Sequence, residues 1–290
     1  MGHTLAVDLG GTNMRVAVVD REGTVLDRAQ EPTPQHARSI EPLVGFVRAM
    51  RDAHDVEHAV VAVPGRVDHE AGRLLDGPHL PADWPPVLTR DALADALALP
   101  VALANDADVA TIGEARFGAA RGHDDVVYVT VSTGVGAGIV VGGHLLRPRY
   151  SAGEVGRSVV DRVLAAAGED GTVEGLGSGT ALTRAAHAAG LDAAGPDLVR
   201  LVEAGDPVAR RVWDEGLFAV AVGIVNLAHL VAPTVFVIGG GVGRNGDLAL
   251  APIRAALARL GPAGPPIAVV PAALGDDSGL LGAAGWRDAT

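Results

Sequence analysis

One structural pattern occurs twice in this chain of 290 residues. An apolar strand at 5–9 runs into a glycine-rich corner at 10–13, and a second strand at 126–131 runs into a similar corner at 132–136. Each corner is followed by another strand, a turn and a third strand. A repeated unit of this kind is a signal at the level of the fold. We expect two like halves whose corners face one cleft and hold the two ends of a polyphosphate chain.

The corners contain residues suited to binding phosphate. Glycine lets the backbone approach a ligand closely, and threonine, asparagine and backbone N–H groups donate to phosphate oxygens. A third glycine corner follows the buried strand 234–238, where a flat ring or a phosphate can approach. An ordinary hairpin turn remains the alternative interpretation of the first corner. The predicted nucleotide-binding residues are Gly10, Gly11, Thr12, Asn13, Thr133, Gly134, Gly239, Gly240 and Gly241.

Asp106 follows a short apolar strand that starts at Val101, and a predicted helix at 107–117 comes next. Ligands of open α/β sheets bind beyond the carboxyl ends of strands. An ionised Asp there accepts a proton from a substrate hydroxyl, and Asn105 can hold a neighbouring hydroxyl with both faces of its amide. The alternative is that Asp106 only caps the helix. The stretch alone favours a cap, whereas the glycine corners on either side favour catalysis.

Composition excludes several classes of site. A hydrophobic content of 48% with 20% charged residues is typical of a globular protein with room for two domains. The net charge of −12 argues against a general nucleic-acid surface. The chain has no lysine, which excludes a P-loop lysine, and no cysteine, which excludes disulfides, thiolate nucleophiles and cysteine zinc sites. Phosphate contacts must therefore use arginine, backbone N–H groups or a metal.

No membrane association or export is expected from the sequence. The N-terminus lacks a basic region followed by an apolar segment, so we expect a cytoplasmic protein. The longest apolar run, 217–231, contains Asn226 and His229. It is too short to span a bilayer, and a buried helix is predicted there.

The order and spacing of seven short motifs resemble the ROK family of bacterial sugar kinases, within the actin-like, ribonuclease-H-like ATPase superfamily. The resemblance covers nearly the whole chain, and the motifs lie at 8–13, 64–68, 105–107, 132–138, 153–156, 239–242 and 274–284. It implies an α/β, two-domain actin-like or ribonuclease H-like ATPase fold with duplicated βββαβα halves and a central cleft. The smaller domain is expected to comprise 1–108 with a C-terminal helix at 277–290, and the larger domain 109–276.

The resemblance also implies an activity. The γ-phosphoryl group of ATP is transferred to a sugar hydroxyl, usually that on C6, with Asp106 as the general base. Mg²⁺ is expected near Asp8, and a homodimer is expected. The implied sugar-binding residues are Gly65, His79, Asn105, Asp106, Glu154, Arg157 and Glu174.

Two positions depart from the family pattern on the sugar side. Arg157 stands where family kinases commonly carry a histidine followed by a cysteine zinc loop, so no structural zinc is expected. His79 stands where many have asparagine. An amino sugar or a cyclitol is therefore a plausible acceptor beside glucose or mannose. We expect Arg157 either to replace the metal by pairing with Glu154, Asp161 or Glu174, or to lie in solvent.

Two other functions remain open from the sequence. A non-catalytic, sugar-binding ROK regulator is disfavoured because no helix-turn-helix segment precedes the strand at Leu5, the charge is acidic, and Asp106 is retained. A polyphosphate-dependent glucokinase would favour a basic groove, which the arginine content does not obviously supply.

Overall fold

The computed structural model describes residues 2–78 and 80–290, and it contains two five-stranded sheets with the same topology. In the first sheet the strand order is β3-β2-β1-β4-β7, and in the second it is β10-β9-β8-β11-β12. Each sheet therefore pairs an antiparallel meander with two further strands in the same order. This correspondence confirms the duplication predicted from the glycine corners, and with it the α/β fold class.

The strands begin and end close to the predicted positions. The first sheet comprises β1 (His3–Leu9), β2 (Asn13–Val19), β3 (Val25–Pro32), β4 (Val56–Val63) and β7 (Val101–Asn105), and a small hairpin is formed by β5 (Val67–Asp68) and β6 (Arg73–Leu74). The second sheet comprises β8 (Val126–Val131), β9 (Val135–Val141), β10 (His144–Leu145), β11 (Val235–Gly239) and β12 (Ala268–Pro271).

The helices of the described residues include those predicted at 107–117, in the run 217–231 and at 277–290. They are α1 (Glu41–Ala53), α2 (Arg90–Leu97), α3 (Asp106–Arg116), α4 (Arg162–Ala166), α5 (Val173–Gly177), α6 (Gly179–Ala188), α7 (Pro196–Glu203), α8 (Pro207–Val231), α9 (Gly240–Gly243), α10 (Asp247–Leu260) and α11 (Ser278–Ala289). The glycine corner predicted after the strand 234–238 is not an open turn, because Gly240–Gly243 forms the short helix α9.

The chain divides into two compact units. Unit 1 consists of residues up to Asp124, Gly138–Ala152 and Asp276–Thr290, and unit 2 consists of Asp125–Ala137 and Gly153–Gly275. The predicted boundary at residue 108 falls inside α3, which lies whole in unit 1.

Alternation along β1 determines which side of the first sheet each helix covers. Leu5 and Leu9 belong to an apolar cluster that also contains Leu43 of α1 and Leu93 of α2. Successive strand residues point to opposite faces, so Asp8 lies on the other face. There α11 packs against β1, and a Cβ at Gly279 would lie 3.8 Å from the Asp8 carboxylate.

Parallel pairing brings three strand ends of unit 1 to one edge. Asp8 of β1 lies opposite Ala62 of β4, and Val63 of β4 lies opposite Asn105 of β7. Because the carboxyl ends of parallel strands share an edge, Asp8, Gly65 and Asn105 belong to one neighbourhood. This is the position at which open α/β sheets bind ligands.

The long helix α8 organises unit 2. It packs against α5, α6, α7 and α10. At 25 residues it exceeds the predicted run and is long and apolar enough to cross a bilayer by length and composition alone. Half of its most apolar window is buried inside the protein, as expected of a core helix.

Candidate functional site

Asn105 is the N-cap of α3. Its Oδ1 accepts from the backbone N–H groups of Ala107 at 2.9 Å and Asp108 at 3.2 Å, and its Nδ2 donates to the Gly65 carbonyl at 2.9 Å. Both lone pairs of the amide oxygen and one of its two N–H donors are therefore engaged. This corrects the expectation that Asn105 offers both faces of its amide to a sugar, since one N–H donor remains.

Asp106 is the first residue of α3 and is half-buried. Its Oδ1 accepts from the N–H of Ala107 at 2.8 Å, which orients the carboxylate at the helix N-terminus. Because Asn105 supplies the cap, capping does not account for Asp106. The helix N-terminus favours a negatively charged group at this position.

The Gly65 loop is folded tightly beside this helix start. Gly65 has φ +98°, and a Cβ there would collide with the Asp76 carbonyl, so only glycine fits. The N–H of Arg66 donates to Asp76 Oδ1 at 2.8 Å. With the Asn105 bond, these contacts fix the Gly65 carbonyl against the start of α3. The neighbouring candidate His79 lies outside the described residues.

Asp8 lies opposite Arg15 in the β1–β2 hairpin, and the guanidinium contacts its Oδ2. A second guanidinium nitrogen donates to the carbonyl of Asp276 at 2.8 Å. Burial raises the pKa of the Asp8 carboxyl above its usual value, although Arg15 acts to lower it. The alternation of Arg15 with apolar neighbours in sequence predicts a side chain that points outward, and the structure corrects this by placing it partly buried against Asp8. The sequence does indicate this pairing: residues 8 and 15 are equally far along the chain from the centre of the corner at 10–13, so they lie opposite each other in a hairpin.

The first glycine corner is held by residues that follow β3. The N–H of Thr33 donates to the Thr12 carbonyl at 2.8 Å, and its hydroxyl donates to the Gly10 carbonyl at 2.6 Å. Within the corner, the N–H of Gly10 donates to the Asn13 carbonyl at 2.9 Å. The carbonyl oxygens are thus directed to protein donors. That arrangement suits a corner whose N–H groups face an anion.

The second corner is held in a similar way within unit 2. The N–H of Gly179 donates to the Ser132 carbonyl at 2.7 Å, and the Thr180 hydroxyl donates to the Thr133 carbonyl at 2.8 Å. The N–H of Ser132 donates to the Gly134 carbonyl at 2.8 Å. The start of α6 therefore binds the carbonyls of Ser132 and Thr133, and the Gly134 carbonyl is bonded within the loop itself.

Beside the second corner lies a cavity of about 780 Å³ within unit 2. Apolar side chains form much of its wall, and polar groups form the rest. Its lining includes Ser132, Thr133, Thr180, Leu182, Thr183, Leu198, Val199, Arg200, Trp213, Gly241, Val242 and Asn245. This combination is typical of a small-molecule site.

The three predicted glycines at the end of β11 and the start of α9 have different positions. Gly241 lines the cavity. A Cβ at Gly239 would meet the Tyr128 ring, and one at Gly240 would meet the Val131 carbonyl. These two glycines allow β11 and α9 to pack closely against β8, and they thereby support the wall of the cavity. The Asn245 side chain stabilises α9 by donating to the Gly241 and Val242 carbonyls at 3.1 and 2.8 Å.

Glu154 precedes a short 3₁₀ turn in unit 2, and Arg157 is the last residue of that turn. Arg157 Nε donates to Glu154 Oε2 at 3.1 Å, and 61% of the Arg157 side chain is exposed. Asp161, another expected partner, caps α4 by accepting from Val163 and Leu164. The structure thus contains the Glu154 pair, in a setting where a single ion pair contributes little stability.

Glu174 lies in the first turn of α5, in an exposed position. Its Oε2 accepts from the N–H of Val135, a residue of the second corner, at 2.8 Å. The candidate residues therefore form two sets. Unit 1 holds Asp8, the first corner, Gly65, Asn105 and Asp106, and unit 2 holds the second corner, the cavity, Glu154, Arg157 and Glu174. Among the described residues, no group of three or more His, Asp or Glu side chains is arranged to hold a metal ion.

Comparisons with known proteins agree with this geometry. A model of the ROK family matches residues 4–289. The chain is 34% identical to a glucokinase from Streptomyces coelicolor over 98% of this chain and 97% of the relative. It is 32% identical to an N-acetylmannosamine kinase from Yersinia pestis, covering 99% and 98% of the two chains.

A solved structure is similar over the same extent. The ROK family glucokinase from Streptomyces griseus, in complex with glucose and AMPPNP, superposes with a TM-score of 0.81 at 35% identity, covering 98% of each chain. The α/β architecture is accordingly that of the actin-like ATPases. The repeated sheets, the two glycine corners and the match over 4–289 lead to one conclusion: the chain belongs to the ROK family.

Proposed function

We propose that this chain is an ATP-dependent sugar kinase that phosphorylates the C6 hydroxyl of a hexose or a related amino sugar. The observation that carries the proposal is Asp106, a half-buried carboxylate at the start of α3 that Asn105 relieves of the capping role. Names of relatives support both acceptor classes, since one is a glucokinase and another an N-acetylmannosamine kinase.

In the proposed reaction Asp106 is the general base. It accepts the proton of the sugar hydroxyl as that oxygen attacks the γ-phosphorus of ATP. The bond from the γ-phosphorus to the bridging oxygen breaks, and ADP leaves with the electron pair. Phosphoryl transfer of this kind depends on positioning and charge stabilisation more than on covalent chemistry by the protein.

The donor is proposed to be a nucleotide. The cavity of unit 2 joins the second corner to apolar walls such as Leu198, Trp213 and Val242. A purine base has apolar faces that fit such walls, whereas inorganic polyphosphate has no group to fill them. The cavity therefore supports ATP over the polyphosphate alternative, with phosphates held by the N–H groups of Thr133 and Gly134.

Asp8 is the proposed protein contact for Mg²⁺. The ion usually takes one or two carboxylates and completes its shell with phosphate oxygens and water, so a single carboxylate at a strand end fits it. Arg15 contacts Oδ2 of Asp8 and leaves Oδ1 available. When bound, Mg²⁺ neutralises charge on the β- and γ-phosphates.

The sugar-binding residues are proposed within each unit separately. In unit 1 they are Gly65, Asn105 and Asp106, and in unit 2 they are Glu154, Arg157 and Glu174. Carboxylates and the remaining Asn105 N–H donor match the donors and acceptors of sugar hydroxyls. A sugar-binding regulator remains the second candidate from the sequence, and the retention of Asp106 argues against it.

An acceptor screen tests the proposal. The purified chain is supplied with ATP and Mg²⁺, then with single hexoses, amino sugars and cyclitols, and ADP release is followed. We expect release that depends on one acceptor class, with the phosphate on C6 of the product by NMR. Replacing ATP by polyphosphate should abolish turnover. If no acceptor stimulates ADP release above the sugar-free rate, the kinase proposal is wrong.

A further inference from the structure

Glu174 places a negative charge against the loop that is proposed to bind phosphate. Its Oε2 accepts from the N–H of Val135 at 2.8 Å and lies 2.5 Å from the position that a Cβ on Gly134 would occupy. The carboxylate therefore bonds to Val135 and lies close to the neighbouring residue Gly134. Burial does not explain this placement, because the residue is exposed and the contact is to a backbone N–H group.

This arrangement has an electrostatic consequence. Consecutive Cα atoms are about 3.8 Å apart. A phosphate bound by the N–H groups of Thr133 and Gly134 is therefore separated from the Glu174 carboxylate, which bonds to the Val135 N–H, by about one or two such spacings. That separation is shorter than the Debye length of about 8 Å at physiological salt. Two negative groups at such a distance repel each other, so Glu174 weakens binding of a nucleotide to the empty protein.

The same carboxylate also has unused acceptor capacity. A carboxylate offers about four lone-pair sites, and the Val135 N–H occupies one. Hydroxyl groups that donate to the remaining sites would draw charge away from the loop. A sugar is a ligand of that chemistry, and the exposed position of Glu174 admits it.

We propose that Glu174 makes nucleotide binding depend on the sugar: its charge opposes phosphate in the second corner until sugar hydroxyls bond to it. This inference rests on the proposed function, because it requires a sugar and a nucleotide as ligands. Glu174 acts here as a positioning and coupling residue, since it holds the loop through Val135 and does not touch the reacting atoms. By linkage, the nucleotide must strengthen sugar binding by the same factor.

The coupling differs from two simpler roles for Glu174. If the side chain only holds the loop, its loss weakens nucleotide binding whether or not sugar is present. If it only binds sugar, its loss weakens sugar binding and leaves nucleotide affinity in the absence of sugar unchanged. Coupling through charge predicts the opposite sign: removing the charge strengthens nucleotide binding without sugar.

Glu174→Gln is the decisive variant, because glutamine keeps an oxygen that can accept from Val135 and loses the charge. Calorimetry measures the dissociation constant of Mg²⁺-AMPPNP with and without saturating acceptor, taken from the acceptor screen. In the unmodified protein we expect the acceptor to strengthen AMPPNP binding by a factor within the usual range of about 5- to 150-fold. In Glu174→Gln we expect tighter binding than in the unmodified protein without acceptor, and a coupling factor near one.

Two controls separate charge from structure. Glu215→Gln makes the same change in net charge on the exposed side of α8 and should leave both affinities unaltered. Raising the salt concentration should narrow the difference between the unmodified protein and Glu174→Gln in the absence of acceptor, because salt screens repulsion. A purely structural role would not respond in this way.

The outcomes distinguish this inference from the proposed function. Sugar phosphorylation by the unmodified protein decides the function, whatever the coupling factor. The coupling inference is overturned if the unmodified protein shows no coupling. It is also overturned if Glu174→Gln binds AMPPNP no more tightly without acceptor, or keeps the coupling factor of the unmodified protein.

Discussion

Arg15 and Asp8 face each other across the first hairpin, and Arg15 bonds in addition to the backbone carbonyl of Asp276 just before α11. One side chain thus joins the end of β1 to the chain that leads into the C-terminal helix. The link matters because the N-terminus of α11 packs against the carboxylate proposed to contact Mg²⁺. The pair therefore connects the position of Asp8 to the position of α11.

Arg15→Ala should lower the stability of unit 1. The guanidinium makes charge-assisted hydrogen bonds, which contribute about 1.5–3 kcal/mol each when well shielded. Because 29% of the Arg15 side chain is exposed, we expect a loss at or below the lower end, about 1–1.5 kcal/mol by urea unfolding. Arg28→Ala is the matched control: Arg28 pairs with Asp277 at 3.3 Å in an exposed setting, and its loss should cost less. Equal losses in the two variants would show that the Asp8 pair has no special role.

Asn105→Ala should affect both stability and the sugar KM. Loss of the N-cap costs about 1 kcal/mol, and the Gly65 carbonyl also loses its donor. The Gly65 loop then becomes free to shift, so we expect a raised sugar KM with an ATP KM close to that of the unmodified protein.

Thr89→Ala provides the control for this prediction. The Thr89 hydroxyl caps α2 by accepting from Ala92 at 3.1 Å, whereas the Gly65 carbonyl accepts from Asn105. It should lower stability by a similar amount and leave the sugar KM unchanged. If Asn105→Ala destabilises the chain without altering the sugar KM, Asn105 is a helix cap only.

Much of the fold was predictable because it depends on local patterns. Alternation of apolar residues located β1, and the repeated glycine corners indicated that the second sheet copies the first. The side-chain pairings were not predictable in the same way. The alternation of Arg15 with apolar neighbours predicts a solvent-facing side chain, whereas the register opposite Asp8 keeps it partly buried.

The same limit applies to the candidate site. The sequence places Asn105 beside Asp106, but it does not show that the Asn105 amide donates to the Gly65 carbonyl, forty residues away in sequence. Glu174 was expected to bind sugar, and its contact with Val135 follows from how α5 packs near β9. Three of the four residues 240–243 are glycines, which have low helix propensity, and α9 forms there because Asn245 bonds to two of its carbonyls.

Acid should destabilise unit 1 through His69. Burial and the nearby Arg147 lower the pKa of His69 to about 4 from its usual 6.5, although Asp68 acts to raise it. The unfolded chain therefore takes up a proton near pH 6.5 that the folded chain does not accept until about pH 4. Stability falls as pH drops through this window, by about 2 kcal/mol at pH 5 relative to neutral pH.

His69→Gln should remove most of this acid sensitivity. Urea unfolding at pH 7 and pH 5 measures it as the difference between two free energies of unfolding. His36→Gln, at an exposed position, should keep the sensitivity of the unmodified protein. If His69→Gln loses as much stability at pH 5 as the unmodified protein, another group is responsible.

Gly134→Ala should weaken nucleotide binding by shifting the backbone of the second corner, an effect that we expect to exceed any gain from moving the Glu174 charge away. The new Cβ would lie 2.5 Å from Glu174 Oε2, so the carboxylate or the loop must shift. We expect the AMPPNP dissociation constant to rise about tenfold or more, equivalent to at least 1.4 kcal/mol. Gly45→Ala is the control, because no heavy atom lies within 4 Å of its Cβ position on α1. Unchanged AMPPNP affinity in Gly134→Ala would remove this corner from the nucleotide site.

Asp106→Asn tests the proposed base directly. Asparagine has nearly the same shape and can still accept from the Ala107 N–H, so the fold and the affinities for sugar and AMPPNP should be retained. It cannot take a proton from a hydroxyl at neutral pH, and we expect kcat to fall by about 10²–10⁴. Asp95→Asn, an exposed site on α2, should leave kcat unchanged. Because Asn105 carries the cap in both of these variants, a large fall in kcat at unaltered thermal stability would separate catalysis by Asp106 from any structural contribution. Turnover near that of the unmodified protein would exclude Asp106 as the base.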